Sequence, residues 1–332
     1  MTSVPPRMRV PLARRSVLAA AAGLLAAGSA RAQVQDFPNR PIRVLVPFPA
    51  GGSADAAGRL VAELLGRHLN SQVIVDNRAG AAGVIGTRAA AESRPDGYTL
   101  LLSTPSTFSI LPALRGAELP FDAVRGFTPV AMVGRGPFAL AVAPDSPLRN
   151  VADLVAAARA RPGSINFGSA GIGTTPHLVV ELMREQTGVE LTHVPFRGGA
   201  PAVTALLGGQ LLMVSAFISE VAPFVADRRL RLLAVSSEQR QPERPDVPTL
   251  REGGVDLAVY AWFGLHGPAG LPGPIVEKLH GAINAGLADP ATQQRLSAIG
   301  IGAAPLSTAE FTTSLTRELE LYGRLRGRVA LE

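Results

Sequence analysis

One segment near the start of the chain most constrains its fold. A short apolar run, residues 42–46, leads into Pro-Phe-Pro-Ala-Gly-Gly at residues 47–52 and then into a helix-like pattern that begins near Ser53. Because glycine lacks a Cβ, Gly51 and Gly52 can adopt positive φ and bring backbone N–H groups close to a bound molecule. A helix N-terminus adds unpaired N–H groups and partial positive charge. The segment therefore predicts a strand, a loop and a helix whose N-terminus binds an anion.

A second segment of the same kind lies at residues 166–177, where a strand-like run ends in a loop of Gly, Ser and Thr. Pro176 in this segment suits the first turn of a following helix. The two loops lie in separate halves of the chain. Together they predict a cleft that holds one anion between them.

Strand-like and helix-like patterns alternate along the chain, which predicts an α/β fold with doubly wound, mostly parallel sheets. A length of 332 residues favours two domains. The chain is expected to cross between them near Gly136-Pro137 and to return in a strand at residues 260–265. This predicts a discontinuous domain 1 (33–137 plus 262–332), an inserted domain 2 (138–261) and two hinge strands.

Charge argues against a nucleic-acid partner. The net charge is +6, but five arginines and no acidic residue lie in the first 32 residues. Without that segment, 27 basic residues face 26 acidic ones, so the remainder is nearly neutral. The chain has no cysteine, which excludes disulfides, thiolate catalysis and cysteine-bound metal and is compatible with an oxidising compartment.

The first 32 residues have the pattern of a cleaved export signal. A basic start precedes an apolar stretch from Val17 to about Ala27, and Ala30-Arg31-Ala32 is a small-x-small cleavage site. Arg14-Arg15 resembles a twin-arginine signal, although paired arginines also occur in general secretory signals, so both export routes stay open. The apolar stretch is shorter than a membrane-spanning helix requires. We expect a soluble protein in the periplasm.

Several segments together resemble the Bug family, the periplasmic receptors of tripartite tricarboxylate transporters. They are residues 47–55, 76–78, 95–99 (Pro-Asp-Gly-Tyr-Thr), 168–177, 197–202 (Arg-Gly-Gly-Ala-Pro-Ala) and 207–210 (Leu-Gly-Gly-Gln). The resemblance implies a two-domain, type II periplasmic-binding-protein (Venus flytrap) fold that closes on a small carboxylate. It also implies delivery of that carboxylate to membrane subunits of a tripartite transporter. We further expect a monomer with no cofactor and no bound metal.

The sequence departs from the family pattern in two places. Residues 79–82 read Ala-Gly-Ala-Ala where the family usually has Pro-Gly-Ala-Gly, and Leu212 and Ser215 stand where it usually has an acidic and an aromatic residue. The second departure lies near the expected ligand wall. The ligand therefore stays open among citrate, C4-dicarboxylates, acidic amino acids and aromatic acids.

The candidate ligand-binding residues lie on the two loops, at the end of a third strand and on one further loop. They are Phe48, Ala50, Gly51, Gly52, Ser53, Asp55, Ser103, Thr104, Ser106, Ser169, Ala170, Gly173, Thr174, Thr175, His177 and Arg197. Ser, Thr and backbone N–H donors suit a carboxylate, and open α/β sheets bind ligands at the carboxyl ends of their strands.

Some of these residues have a structural alternative. Ser53 could serve only as a helix N-cap. Asp55 would repel an anion, so it is either a structural cap or the partner of a ligand ammonium group. His177 is expected at the surface or behind the ligand-contacting residues. Arg197 could pair with a carboxylate or remain solvated.

Enzyme motifs are absent from the sequence. Residues 168–171 (Gly-Ser-Ala-Gly) lack the spacing of a nucleophile elbow, and no phosphate-binding Gly-Lys-Ser/Thr occurs. The five histidines show no metal-binding spacing. We therefore predict a receptor and no catalytic residues. The alternatives are a ligand-binding module of a periplasmic sensor and an exported hydrolase.

The cleavage pattern predicts a mature chain that begins at Gln33. Mass spectrometry of protein recovered from the periplasm should find that N-terminus. An intact N-terminus would contradict the prediction. Replacing Arg14 and Arg15 by Lys without any loss of export would exclude a strict twin-arginine route.

Overall fold

A computed structural model describes residues 37–327 of the chain. The predicted export signal, residues 1–32, lies outside the described residues. Residues 37–39 belong to a separate short unit. All the elements below belong to the unit that begins at Arg40.

The chain alternates strands and helices in three stretches around one long strand. The first stretch forms β1 (Ile42–Val46), α1 (Ser53–Leu69), β2 (Val73–Asn77), α2 (Val84–Ala91), β3 (Thr99–Ser103) and α3 (Leu111–Arg115). The long strand is β4 (Phe127–Val142). The middle stretch forms α4 (Val151–Ala160), β5 (Asn166–Ser169), α5 (Thr175–Thr187), β6 (Thr192–Pro195), α6 (Gly199–Leu207), β7 (Met213–Phe217), α7 (Ile218–Ala226) and β8 (Arg231–Val235). The last stretch forms β9 (Tyr260–Pro268), α8 (Gly273–Leu287), α9 (Pro290–Ala298), β10 (Gly302–Ala303) and α10 (Thr308–Gly323).

The strands form two groups that share β4. In the first lobe, which contains β1–β3, β9 and β10, strand β1 is parallel to β2 and β3, and β9 is antiparallel to β3 and β4. In the second lobe, which contains β5–β8, strand β5 is parallel to β6 and β7, and β4 is antiparallel to β7 and β8. The α/β fold class is confirmed. The sheet is mixed because β4 and β9 run antiparallel to their neighbours.

Strand β4 passes from one lobe to the other without a break. It pairs with β9 as far as Pro137 and with β7 from Phe138 onward. The sequence pattern indicated two separate extended segments, since glycines interrupt the apolar run. Gly136 has a packing role there, because a Cβ at this position would overlap the backbone oxygen of Gly300.

Helix α1 buries one apolar face, whose residues recur at three- and four-residue spacing. Ala57, Leu60, Val61, Leu64 and Leu65 are all buried, and each large apolar side chain of this kind contributes about 1.5–3 kcal/mol when it leaves water. A second cluster in the first lobe is aromatic. There the ring of Phe108 lies 4.9 Å from that of Phe127, and Trp262 lies edge-on to Phe311 at 5.4 Å.

The sequence predicts two C-terminal helices, at about residues 274–288 and 308–327, and α9 between them was missed. The side chain of Asp289 accepts a hydrogen bond from the N–H of Ala291, and Pro290 occupies the first helical position. Asp followed by Pro is a helix-start pattern that was overlooked. A single π-helical turn, Ser106–Ile110, was missed as well.

Asp55 fixes the loop between β1 and α1. Its carboxylate accepts hydrogen bonds from the N–H of Gly51 at 2.9 Å, from Nε of Arg59 at 2.9 Å and from Nδ2 of Asn77 at 3.0 Å. Asn77 also donates to the carbonyl of Phe48 at 3.1 Å. Burial raises the pKa of Asp55, but these hydrogen bonds outweigh burial and hold it below its ordinary value of 3.8.

Replacing Asp55 by Asn should destabilise the protein at neutral pH. The NH₂ group of the new Asn side chain would face one of the N–H donors that now bond to the Asp55 carboxylate. We expect the free energy of unfolding at pH 7 to fall by about 1–3 kcal/mol. A lowered pKa stabilises the fold above the unfolded-state pKa, and this contribution is lost as the pH falls through the folded-state pKa. The difference between wild type and Asp55→Asn should therefore shrink below pH 3.8.

Chemical denaturation over a pH series measures this difference. Asp76→Asn is the matched control, because Asp76 pairs with Arg78 in a more exposed position. The control should cost at most about 1 kcal/mol. An Asp55→Asn effect that is equally small, or that does not change with pH, would contradict the role assigned to Asp55.

Candidate ligand-binding site

The loop after β1 presents the N-terminus of α1. Gly51 has a φ of +85°, which favours glycine, and Gly52 is the N-cap. Ser53 is the first helical residue, so the structural alternative of an N-cap at Ser53 is wrong. Its hydroxyl instead donates to a carboxylate of the second lobe, described below.

The loop after β5 presents the N-terminus of α5. Thr174 is the N-cap, Thr175 is the first helical residue and Pro176 is the second. The Thr174 hydroxyl donates to the carbonyl of Gly171 at 2.6 Å, and the Thr175 N–H donates to the Ser106 hydroxyl at 3.3 Å. We call Thr174 and Thr175, together with Thr104 and Ser106, the α5 anion site.

A cavity of about 60 Å³ lies between the two loops. Its lining residues are Phe48, Pro49, Ala50, Gly52, Ser53, Ala54, Thr104, Pro105, Ser106, Phe138, Ala170, Thr174, Thr175, Pro176, Gly198, Gly199, Ala200, Pro201, Phe217, Glu220, Ala261 and Phe263. Most of these are apolar or glycine, and the polar side chains among them are those of Ser53, Thr104, Ser106, Thr174, Thr175 and Glu220. The described residues that line the cavity include no Lys, Arg or His.

Nine of the predicted ligand residues line this cavity. They are Phe48, Ala50, Gly52, Ser53, Thr104, Ser106, Ala170, Thr174 and Thr175. The structure brings together the three loops on which the prediction depended. Thr104 is notable because its hydroxyl is buried and has no hydrogen-bond partner among the described residues. A buried hydroxyl without a partner is rare in a folded protein, and a bound ligand would satisfy it.

The other seven predicted residues do not line the cavity. Gly51 and Gly173 shape the loops through positive φ, and Arg197 is exposed. Asp55 holds the first loop from behind, as described above. The Ser103 hydroxyl lies 2.7 Å from Nδ1 of His266, below the end of β3.

The remaining two, Ser169 and His177, belong to a buried cluster behind the second loop. The Ser169 hydroxyl lies 2.7 Å from Nε2 of His193, and the N–H of Gly173 donates to Nδ1 of His177 at 3.3 Å. The two imidazole rings are 4.3 Å apart. His177 is therefore a buried support of the loop, not a surface residue.

Both histidines are neutral at physiological pH. Burial lowers the pKa of His177 to about 3, with further lowering by His193 and Arg184. Burial and Arg184 lower the pKa of His193 to about 4. Two neutral rings can pack against each other without charge repulsion, and neither brings a positive charge to the cavity.

Glu220 is the main residue that sequence reasoning missed. Ser53 donates to its Oε1 from both the N–H, at 3.0 Å, and the hydroxyl, at 3.1 Å. The N–H of Phe217 donates to its Oε2 at 3.1 Å. Burial raises the pKa of this carboxyl, and the three donors offset part of that rise. The sequence shows Glu220 only as an acidic residue in the first turn of a helix, where it suits the dipole.

A third helix also begins against the Glu220 carboxylate. Gly199, the first residue of α6, packs so closely that a Cβ at this position would overlap the carboxylate. The N-termini of α1, α6 and α7 thus converge on one carboxylate. We call the position beside Gly52 and Ser53 the α1 anion site; in this structure Glu220 occupies it.

Two general features of the described residues bear on function. Within residues 37–327, no helix combines the length and apolar character needed to cross a membrane. The same part of the chain contains no group of three or more His, Asp or Glu residues placed to hold a metal ion.

The chain is similar to known receptors over almost all of its described length. The model of the tripartite tricarboxylate transporter family receptor (TctC) matches residues 57–325. Protein BugT of Bordetella pertussis is 37% identical over 295 residues, which cover 87% of this chain and 88% of BugT.

Two solved structures share the fold. An R. palustris protein solved with adipate has a TM-score of 0.84 and 31% identity, covering 87% of this chain and 97% of its own. MatC from Rhodopseudomonas palustris, with bound malate, has a TM-score of 0.82 and 28% identity, covering 87% of this chain and 99% of its own. The resemblance noted in the sequence is confirmed, and the chain belongs to the tripartite tricarboxylate transporter receptor family of periplasmic solute-binding proteins.

Proposed function

We propose that this protein is a periplasmic receptor that captures a small carboxylate between its two lobes. It delivers the carboxylate to the membrane subunits of a tripartite tricarboxylate-type transporter. It acts as a monomer without cofactor or metal.

The observation that carries this proposal is the donor set of the cavity. At the α5 anion site, the hydroxyls of Thr104, Ser106 and Thr175 gather beside a helix N-terminus, and that of Thr104 is unpaired among the described residues. A carboxylate at this point would accept charge-assisted hydrogen bonds and interact favourably with the helix dipole. Adipate and malate, found in the two structural relatives, are molecules of this chemical class.

The domain boundaries belong to the same proposal. Domain 1 comprises residues 33–137 and 262–332, domain 2 comprises residues 138–261, and β4 and β9 act as hinges. The change of partner along β4, from β9 to β7 between Pro137 and Phe138, supports the first crossing.

A hydrolase is the weaker candidate. Ser169 and His193 are within hydrogen-bond distance, but Ser169 is buried and lies outside the cavity. Its hydroxyl also contacts the carbonyl and N–H of Gly171, which makes it a loop support. We therefore propose no catalytic residues. A sensor module would use the same cavity, and a partner kinase or regulator would distinguish it from a transport receptor.

A panel of carboxylates tested by thermal shift should identify ligands. A ligand at about 100 times its Kd adds about 2.7 kcal/mol to the stability of the folded state. In a chain of this length, that gain raises Tm by several degrees. If only neutral sugars or cations raise Tm, the carboxylate proposal is wrong even though the family assignment stands.

The threonine pair Thr104 and Thr107 supplies a matched test of the site. Both hydroxyls are buried and unpaired among the described residues, but only Thr104 lines the cavity. Thr104→Val should weaken binding of any carboxylate hit by about 10-fold or more, because it removes a donor to a charged group. Thr107→Val should leave the affinity unchanged. If the two variants changed the affinity equally, the ligand would not bind at Thr104.

Hinge closure predicts a change of shape on binding. A ligand that contacts both lobes binds the closed state better and shifts the population towards it. Small-angle X-ray scattering at saturation with a hit from the panel should show a smaller radius of gyration than the protein alone. An unchanged radius would argue against closure about β4 and β9.

A further inference from the structure

We propose that Glu220 determines ligand specificity: it fills the α1 anion site, so this receptor selects small, largely apolar ligands with a single carboxylate, bound at the α5 anion site. This inference rests on the proposed carboxylate function and narrows it to one class of carboxylate.

The α1 anion site already contains a carboxylate of the chain, that of Glu220. The Glu220 carboxylate accepts from the N–H and hydroxyl of Ser53, which are the donors that a helix N-terminus would otherwise offer to a ligand. Its second oxygen accepts from Phe217. Gly52 and Gly199 lie against the same carboxylate without side chains that would displace it.

The described residues that line the cavity include no positively charged side chain that would balance a second negative charge. Glu220 is the one ionisable side chain among the described residues that line the cavity. A dicarboxylate would place its second negative charge beside Glu220 in a partly buried space. Because like charges repel strongly there, the second carboxylate costs binding energy instead of adding to it.

The α5 anion site, in contrast, remains open to a ligand. Thr104 is only 6% exposed, lines the cavity and carries a hydroxyl without a partner in the described part of the chain. It stands beside Ser106 and Thr175 at the start of α5, a helix of 13 residues. The Ser106 and Thr175 hydroxyls lie 3.4 Å apart and only one of them can donate to the other, so one proton of the pair is left for a ligand. A single carboxylate can therefore accept hydrogen bonds from this pair and from Thr104, and the dipole of α5 favours its charge.

The rest of the wall indicates what the ligand carries besides its carboxylate. The rings of Phe48, Phe138, Phe217 and Phe263 line the cavity, and most of the other lining residues are Ala, Pro or Gly. Such a surface favours an aliphatic or aromatic body. The cavity, about 60 Å³ in this structure, favours a small body.

Matched pairs of ligands test the inference by isothermal titration calorimetry. The pairs are straight-chain monocarboxylates of three to six carbons with dicarboxylates of equal length, and benzoate with terephthalate. In wild-type protein the monocarboxylate of a pair should bind at least about 100-fold more tightly, a ratio set by like-charge repulsion in a desolvated site. This comparison needs no variant.

Removing the internal carboxylate should abolish the preference. In Glu220→Ala, the donors of Ser53 and Phe217 become available, so the ratio should move towards the dicarboxylate by about 100-fold. Glu220→Ser is a second variant in case the alanine variant does not fold. Glu318→Ala is the control, because Glu318 is another half-buried carboxylate whose pKa burial raises, but it does not line the cavity. Its ratio should match that of wild type.

Three outcomes would overturn the inference. If dicarboxylates bind wild type as tightly as their monocarboxylate partners, Glu220 is not a barrier, although the carboxylate function stands. If the ratio stays unchanged in the Glu220 variants, the selectivity lies in other residues. If no carboxylate binds wild type or variants, the proposed function itself fails.

Discussion

The site depends on one constraint: negative charge must be stabilised in the cavity without any positively charged side chain among the described lining residues. Helix N-termini meet this requirement, since each brings N–H donors that lack partners within the helix and a partial positive charge. Three of them converge on Glu220 and a fourth, that of α5, faces the remaining space. The architecture of two lobes joined by β4 is what allows helices from distant parts of the chain to meet there.

Donors of this kind act only if the loops hold them in place, and a buried polar group supports each loop. Behind the first loop, Asp55 accepts from Gly51 and Asn77. Behind the second loop lie two neutral histidines, His177 and His193, and Ser169. These supports are polar because loop N–H groups turned away from the cavity would otherwise be buried without partners. Residues that resemble ligand contacts in the sequence can therefore serve the loop instead.

The sequence predicted the parts of the fold that depend on local chemistry. The Gly-rich loops located the starts of α1 and α5, which lie at the cavity. Prediction from local patterns failed where packing between distant parts of the chain determines the structure. Gly136 interrupts the apolar pattern of β4, and a glycine is required there because it makes room for the backbone at Gly300. His177, in a first helical turn, gave no sign of its burial against His193, which lies on another strand.

Glu220 shows the same limit at the site itself. Its role depends on contacts with Ser53, 167 positions away in the chain, and with the start of α6. In the sequence it is an ordinary acidic residue in the first turn of a helix, where it also accepts from its own N-cap residue, Phe217. That local role keeps the carboxylate in a fixed position in the second lobe. The contact with Ser53 forms only when α1 of the first lobe lies against it.

This geometry gives Glu220 two effects that oppose each other. Because its carboxylate bridges α1 and α7, it stabilises the arrangement in which the lobes are together, as a bound ligand would. The same carboxylate uses donors that a ligand could otherwise occupy, so it lowers the binding energy available from the α1 anion site. Under the proposed function, the cavity would hold this fixed carboxylate and one exchangeable ligand carboxylate. The proposed selectivity for charge would then follow from Glu220, and selectivity for shape would follow from the four phenylalanines that line the cavity.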